Sequence, residues 1–165
     1  MKRSEHRFLT THVGSLPRPP ALRDLLVKQD RGEAIDGAAL AREAEAAVRH
    51  VVRKQVEAGV DVGNDGEQPR VGFSTYPAKR MKGFGGASKR RMSRDMADHP
   101  DYAARLSRAR SGAARINDAP QAVGEVAYTD LSEAVAECDL FQRCAPPGKG
   151  FAEPFMTAAA SLRSV

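Results

Sequence analysis

Two hydrophobic periods meet near the middle of the chain. From Ala38 to Ala58 apolar residues recur at three- and four-residue spacing, through Leu40, Ala44, Ala47, Val48, Val51 and Val52. That spacing predicts an amphipathic helix with one buried stripe. Asp36 is placed to cap its start and Gly59 to end it. Glu43 and Glu45 come early in the run and Arg49, Arg53 and Lys54 late, as the helix dipole favours. At Val60 the period falls to two: Val60-Asp61-Val62 reads as a strand, leaving through the turn-prone Asn64-Asp65-Gly66. A helix, a glycine and a strand in immediate succession form the unit around which the rest is arranged.

The same reading, carried outward, predicts an earlier strand over residues 7–14. It is stopped by Leu16-Pro17-Arg18-Pro19-Pro20, where prolines remove donors and restrain their neighbours. A short helix follows over 21–31, with Leu22, Leu25 and Leu26 on one side. Periodicity fades from Val71 to Met96, an excursion interrupted by Pro77, Gly83, Gly85 and Gly86 and carrying at most a short helix. Beyond it the pattern predicts a helix over 102–111, a strand over 119–126, a helix from Asp130 to Cys144 and a strand over 151–160. Strands alternating with helices predict an α/β protein with parallel strands, whose ligands sit beyond the carboxyl ends of those strands.

Composition narrows the class. The 165 residues are 41% hydrophobic, enough for one core, so residues 1–165 are expected to form one domain. No apolar run approaches a membrane span, and the basic start lacks a hydrophobic stretch behind it, which points to no membrane and a cytoplasmic location. Cys138 and Cys144 are expected to be reduced thiols. Their separation of six on a helix sets them apart around its axis, so they are not read as a zinc pair.

The net charge of +5 would suit an anionic partner, and the excursion concentrates it: seven Lys or Arg lie between Lys79 and Arg94, within a basic stretch at about 77–96. A polyanion-binding module is therefore one reading. The chain has no Trp and only 5% aromatics, however, so stacking platforms for bases are few and nucleic acid is not the expected partner.

Two polar turns carry the candidate chemistry. Thr10-Thr11-His12-Val13-Gly14-Ser15 closes the first strand and Asn64-Asp65-Gly66-Glu67-Gln68-Pro69-Arg70 closes the second. If both strands are parallel, Ser15 and Glu67 face the same end. Glu67 can receive a ligand's cation or pair with Arg18 or Arg70. Ser15 and the amides beside Gly14 can receive a carboxylate. His12 can orient a ligand, reach a metal or serve as a hydrogen-bonded scaffold residue. Asp65 can assist the site or simply close its turn.

These turns, in this order and at this separation, resemble the catalytic-domain family of cobalamin-independent methionine synthase and its related thiol alkyl- and methyltransferases. Pro120 to Asp130 and Glu153-Pro154-Phe155-Met156-Thr157-Ala158-Ala159 are similar to later parts of that family's first half. The resemblance implies the first half of a (β/α)₈ barrel, a partial TIM barrel of about four parallel strands. It also implies zinc-dependent transfer of a methyl group from a folate-type donor to a thiol such as homocysteine. Val13 and Ser15 match positions contacting the amino-acid substrate, chiefly at its carboxylate, and Glu67 matches the carboxylate that takes its ammonium group. His12, Asp65 and Arg18 are accessory candidates, and His12 and Asp65 depart from the usual pattern of homocysteine-using members.

The family's zinc ligands belong to the second half of the barrel, so no metal ligand and no resident cofactor are expected here. The chain is accordingly expected to be an N-terminal fragment, catalytically silent on its own, with exposed strand edges that favour self-association. A thiol alkyltransferase of the epoxyalkane:coenzyme M type is the alternative within the same family.

Overall fold

The structure, a computed structural model, describes residues 2–72, 76–86, 93–109, 120–146, 148 and 150–158. It divides into two compact units: one from residues 1–70 and 130–165, the other from 71–129.

The first unit is built on two helices that follow the sequence pattern closely. Helix α1 spans Pro20–Asp30 and buries Leu22 and Leu26. Helix α2 spans Gly37–Glu57, and Asp36 accepts from the backbone N–H of Ala38 and Ala39 as its cap. The stripe of α2 is buried at Ala44, Ala47, Val48, Val51 and Val52, and α1 packs against this helix. One polar residue, Gln55, lies buried in line with that stripe.

Strand β1, Val62–Gly63, follows at once, and strand β4, Glu153–Pro154, pairs with it in parallel, Val62 opposite Glu153 and Gly63 opposite Pro154. On the other side of β1, Thr11 forms a parallel bridge to Val62. The predicted first strand is thus reduced to one bridging residue. Its start is held instead by side chains: Arg7 ion-pairs with Asp61, and Asp61 Oδ2 accepts from Thr10 N at 2.9 Å. These contacts hold the Asp61 carboxyl well below its ordinary value, the hydrogen bond from Arg7 being the largest cause.

Helix α6, Ser132–Cys144, closes the core from the far end of the chain. Phe141, Cys144 and Ala145 join Val48 and Val52, with Leu140, Phe151 and Met156 packed around them. Cys144 is the buried thiol and Cys138 the exposed one. A Cβ at Gly63 would lie 2.1 Å from the Phe151 ring, so any side chain there would push the ring out of its place against β1.

The second unit corrects the expected topology. Residues 121–128 do form a strand, β3 (Gln121–Tyr128), but it pairs antiparallel with β2 (Met81–Gly85), which lies inside the basic excursion. Only the Thr11 bridge, β1 and β4 run parallel, so the run of about four parallel strands is not what the described residues form. The physical reason is local. Gly83 adopts φ +89 and sits 2.3 Å, at its missing Cβ, from the Glu125 carbonyl, allowing an irregular, closely approached ladder that residue periodicity conceals. Short helices α3 (Pro77–Arg80), α4 (Arg94–Asp98) and α5 (Pro100–Ala109) complete the unit. Residues 89–91 of the basic stretch, 110–119 between α5 and β3, and the predicted strand beyond 158 lie outside the described residues.

Candidate functional site

The turn from Asn64 to Arg70 is buried almost throughout, which is unusual for so polar a segment, and its backbone is satisfied by design of the side chains around it. Gln55, at the end of the α2 stripe, treats Asn64 as a strand neighbour would. Its Nε2 donates to the Asn64 carbonyl at 2.7 Å and its Oε1 accepts from the Asn64 N–H at 3.2 Å. Asn64 Oδ1 accepts from Gly66 N at 2.8 Å and Asp65 Oδ1 from Glu67 N at 2.9 Å, two consecutive Asx turns.

The first turn is laced to the second. Leu16 N–H donates to the Gly66 carbonyl at 3.0 Å, Gln68 Nε2 to the Leu16 carbonyl at 2.9 Å, and Asn64 Nδ2 to the His12 carbonyl at 2.5 Å. The His12 ring donates from Nε2 to the Gly14 carbonyl at 2.9 Å, so this histidine supports its own turn. Val13 points its side chain outward, 73% exposed.

Glu67 lies at the meeting point. Its residue is 5% exposed and its φ is +55, the one left-handed non-glycine among the described residues. That conformation costs an L-residue about 1–2 kcal/mol and persists where its surroundings impose it. Ser15 Oγ donates to Glu67 Oε2 at 2.5 Å, so the two residues singled out from separate strands meet. Both nearby arginines are engaged elsewhere. Arg70 donates from Nε and Nη2 to Glu137 Oε2 of α6 at 3.2 and 3.0 Å, and from Nη1 to the Thr157 carbonyl at 2.8 Å. Arg18 donates to backbone carbonyls of the turn. Among the described residues no arginine or lysine ion-pairs with the Glu67 carboxylate, although Arg18 is near enough to be attracted by it.

Asp65 is 1% exposed, and its Oδ2, like Gln68 Oε1, is buried without a hydrogen-bond partner among the described residues. Burial pushes the Asp65 carboxyl up; the Glu67 N–H and the charge of Arg70 oppose this, while the Glu137 and Glu67 carboxylates add to it. A raised folded-state pKa contributes stability that is complete below the unfolded value near 3.9 and lost as pH rises through the folded one. Asp65→Asn, which keeps an oxygen for the Glu67 N–H and carries no charge, should therefore out-melt the wild type at pH 7. Scanning calorimetry against pH should show the gap closing below about pH 4.

Sequence reading located Ser15, Glu67, Asp65, Arg18 and His12, and the structure brings all of them around one pair of turns. It did not single out Gln55, Glu137 or Thr157. A glutamine in register with a helix's apolar stripe was the available signal for the first. For the other two no local pattern exists.

Two polar turns at the carboxyl ends of adjacent parallel strands, joined over a buried carboxylate, form the kind of site α/β proteins present to small ligands. Residues 8–99 match the family model described as cobalamin-independent synthase, catalytic domain. The chain belongs to that family. A curated relative, methionine synthase of Sulfolobus acidocaldarius, is 39% identical over 75 residues, which cover 46% of this chain and 22% of that relative's length.

The zinc that such membership implies does not fit the residues in hand. Among the described residues no group of three or more His, Cys, Asp or Glu is placed to hold a metal ion. His12 is committed to Gly14, and the two thiols lie on α6, one exposed and one buried. Nor is any helix of the described residues long and apolar enough to cross a membrane. What the site can do with its own groups is bind and orient.

Proposed function

We propose that this chain holds the amino-acid end of a thiol substrate, of the homocysteine type, for methyl transfer of the methionine synthase kind from a folate-type donor. One observation carries the reading: a buried, left-handed Glu67 carboxylate held by Ser15 Oγ, with Arg18 and Arg70 both drawn to other partners. A charge kept from solvent without an ion pair is costly unless a partner arrives. A substrate ammonium is such a partner. The carboxylate retains lone pairs for it beyond the one Ser15 uses, and the Gly14–Ser15 turn offers backbone N–H groups to the substrate carboxylate.

Anchoring both ends of the amino acid leaves its thiol side chain with one allowed direction, and fixing direction is how binding contributes to group transfer. The parallel order of the Thr11 bridge, β1 and β4, with polar turns after the first two, fits opening strands of a (β/α)₈ barrel.

The test is a ligand-observed NMR titration with L-methionine, the methylated product, and with 4-(methylthio)butanoic acid, which lacks only the amino group. Methionine should bind at least about tenfold more tightly, since a charge-assisted bond is worth 1.4 kcal/mol or more. Equal binding of the two, or no binding of methionine, would overturn the assignment and favour a thiol without an amino group.

A further inference from the structure

Arg18 stands three residues past Ser15 and spends its donors in an unexpected direction. Its Nη2 donates to the Glu67 carbonyl at 2.6 Å and to the Arg70 carbonyl, and its Nε donates to the Gln68 carbonyl at 3.2 Å. Three carbonyls of one short turn thus converge on one planar cation. The guanidinium is partly buried, which lowers its pKa from the ordinary value, while the charges of Glu67 and Asp65 oppose that shift. It makes no ion pair with either carboxylate among the described residues.

Two consequences follow from that geometry. Glu67 can leave its left-handed conformation only by rotating the peptide planes on either side; Arg18 holds the carbonyl of the plane that follows Glu67 and that of the next plane, while the Gly66 carbonyl of the plane before it accepts from Leu16 N–H. The bonds therefore fix where the Glu67 side chain leaves the backbone. In addition, the Arg18 charge lies near enough to attract the Glu67 carboxylate without hydrogen-bonding its oxygens, one of which accepts from Ser15 Oγ. A lysine could supply the charge but not a rigid fork spanning three acceptors.

We propose that Arg18 is a positioning residue for ammonium recognition, holding the Glu67 turn in its binding shape through the carbonyls of residues 67, 68 and 70. The proposal rests on the substrate reading above, and its test separates the two. Wild type and Arg18→Lys are titrated with L-methionine and with 4-(methylthio)butanoic acid, and folding is checked by circular dichroism. In Arg18→Lys, methionine should weaken about tenfold while the acid lacking the amino group changes less than about twofold, the loss expected when charge-assisted geometry is misaligned.

Equal weakening of both ligands would mark Arg18 as merely structural, and unchanged binding of both would show that the fork is not needed. Either result overturns the proposal. Failure of the wild type to distinguish the two ligands would instead remove the substrate reading beneath it. Should Arg18→Lys not fold, Arg18→Ala is measured with added methylguanidinium. Recovered preference for methionine supports the assignment, whereas recovered folding without that preference overturns it.

Discussion

Glu67→Gln should erase the preference for an amino-bearing ligand while leaving the protein at least as stable as before. The amide is nearly isosteric with the carboxylate, and its oxygen can still accept from Ser15 Oγ, now 2.5 Å from Oε2. Backbone contacts of the turn do not involve the carboxylate: the Glu67 N–H goes to Asp65 and its carbonyl to Arg18. What the substitution removes is the charge. A hydrogen bond to a charged group is worth about 1.5–3 kcal/mol, so methionine should weaken by roughly ten- to a hundredfold, with little change for 4-(methylthio)butanoic acid.

Stability should move the other way or not at all, because a buried carboxylate without an ion pair is a burden to the fold. Binding titrations and urea melts on the same preparation check both halves. A variant that binds methionine as the wild type does would remove Glu67 from the site.

Arg70→Met should have the largest effect on the fold. Arg70 is 5% exposed as a side chain and Glu137, its partner on α6, 10%. The same guanidinium reaches the Thr157 carbonyl and Oγ1, so one residue ties the second polar turn to a helix and to the segment after β4. Removing one member of a buried ion pair costs about 3–5 kcal/mol, because the charge left behind is still shielded from water. A loss of that order should appear in the urea midpoint of Arg70→Met. Arg70→Met combined with Glu137→Leu should recover much of it, since replacing both members with apolar groups is often close to neutral. If the double variant is no more stable than the single, the cost lies in contacts of Arg70 outside that pair, those to Thr157 among them.

How much of this was legible depended on whether a feature repeats. The stripe of α2, the Asp36 cap and the Gly59 stop are periodic or positional signals, and they placed Gly37–Glu57 within a residue. The meeting of Ser15 and Glu67 was legible because each turn follows a segment of extended pattern, and although the first is only the Thr11 bridge, that bridge is parallel to β1 and sends both turns to the same end. The pairing of β3 was not legible. Its partner, Met81–Gly85, contains two glycines and lies in a basic stretch, so nothing in its sequence announces a strand, and the ladder is irregular beside Gly83.

The left-handed Glu67 was equally hidden. Glycine is the residue that advertises that conformation, and here Arg18, Asp65 and Asn64 impose it from outside. Gln55 was hidden by its company, as one polar residue at the end of an apolar run reads as a helix end. Its role depends on Asn64, nine positions on.

The parallel pair of β1 and β4 joins residues about ninety positions apart, with the whole second unit between them in the chain. Closing a loop of that length rather than one of about nine residues costs roughly 2 kcal/mol more in chain entropy. It also imposes an order on birth. At about 5–20 residues per second, the ribosome makes the Glu67 turn roughly four to seventeen seconds before the strand and helix that flank it. Through that interval the apolar stripe of α2 waits without Phe141, and Arg70 waits without Glu137. The turn proposed to recognise the ligand is thus made well before Glu137, Phe141 and Glu153, the residues that later close around it.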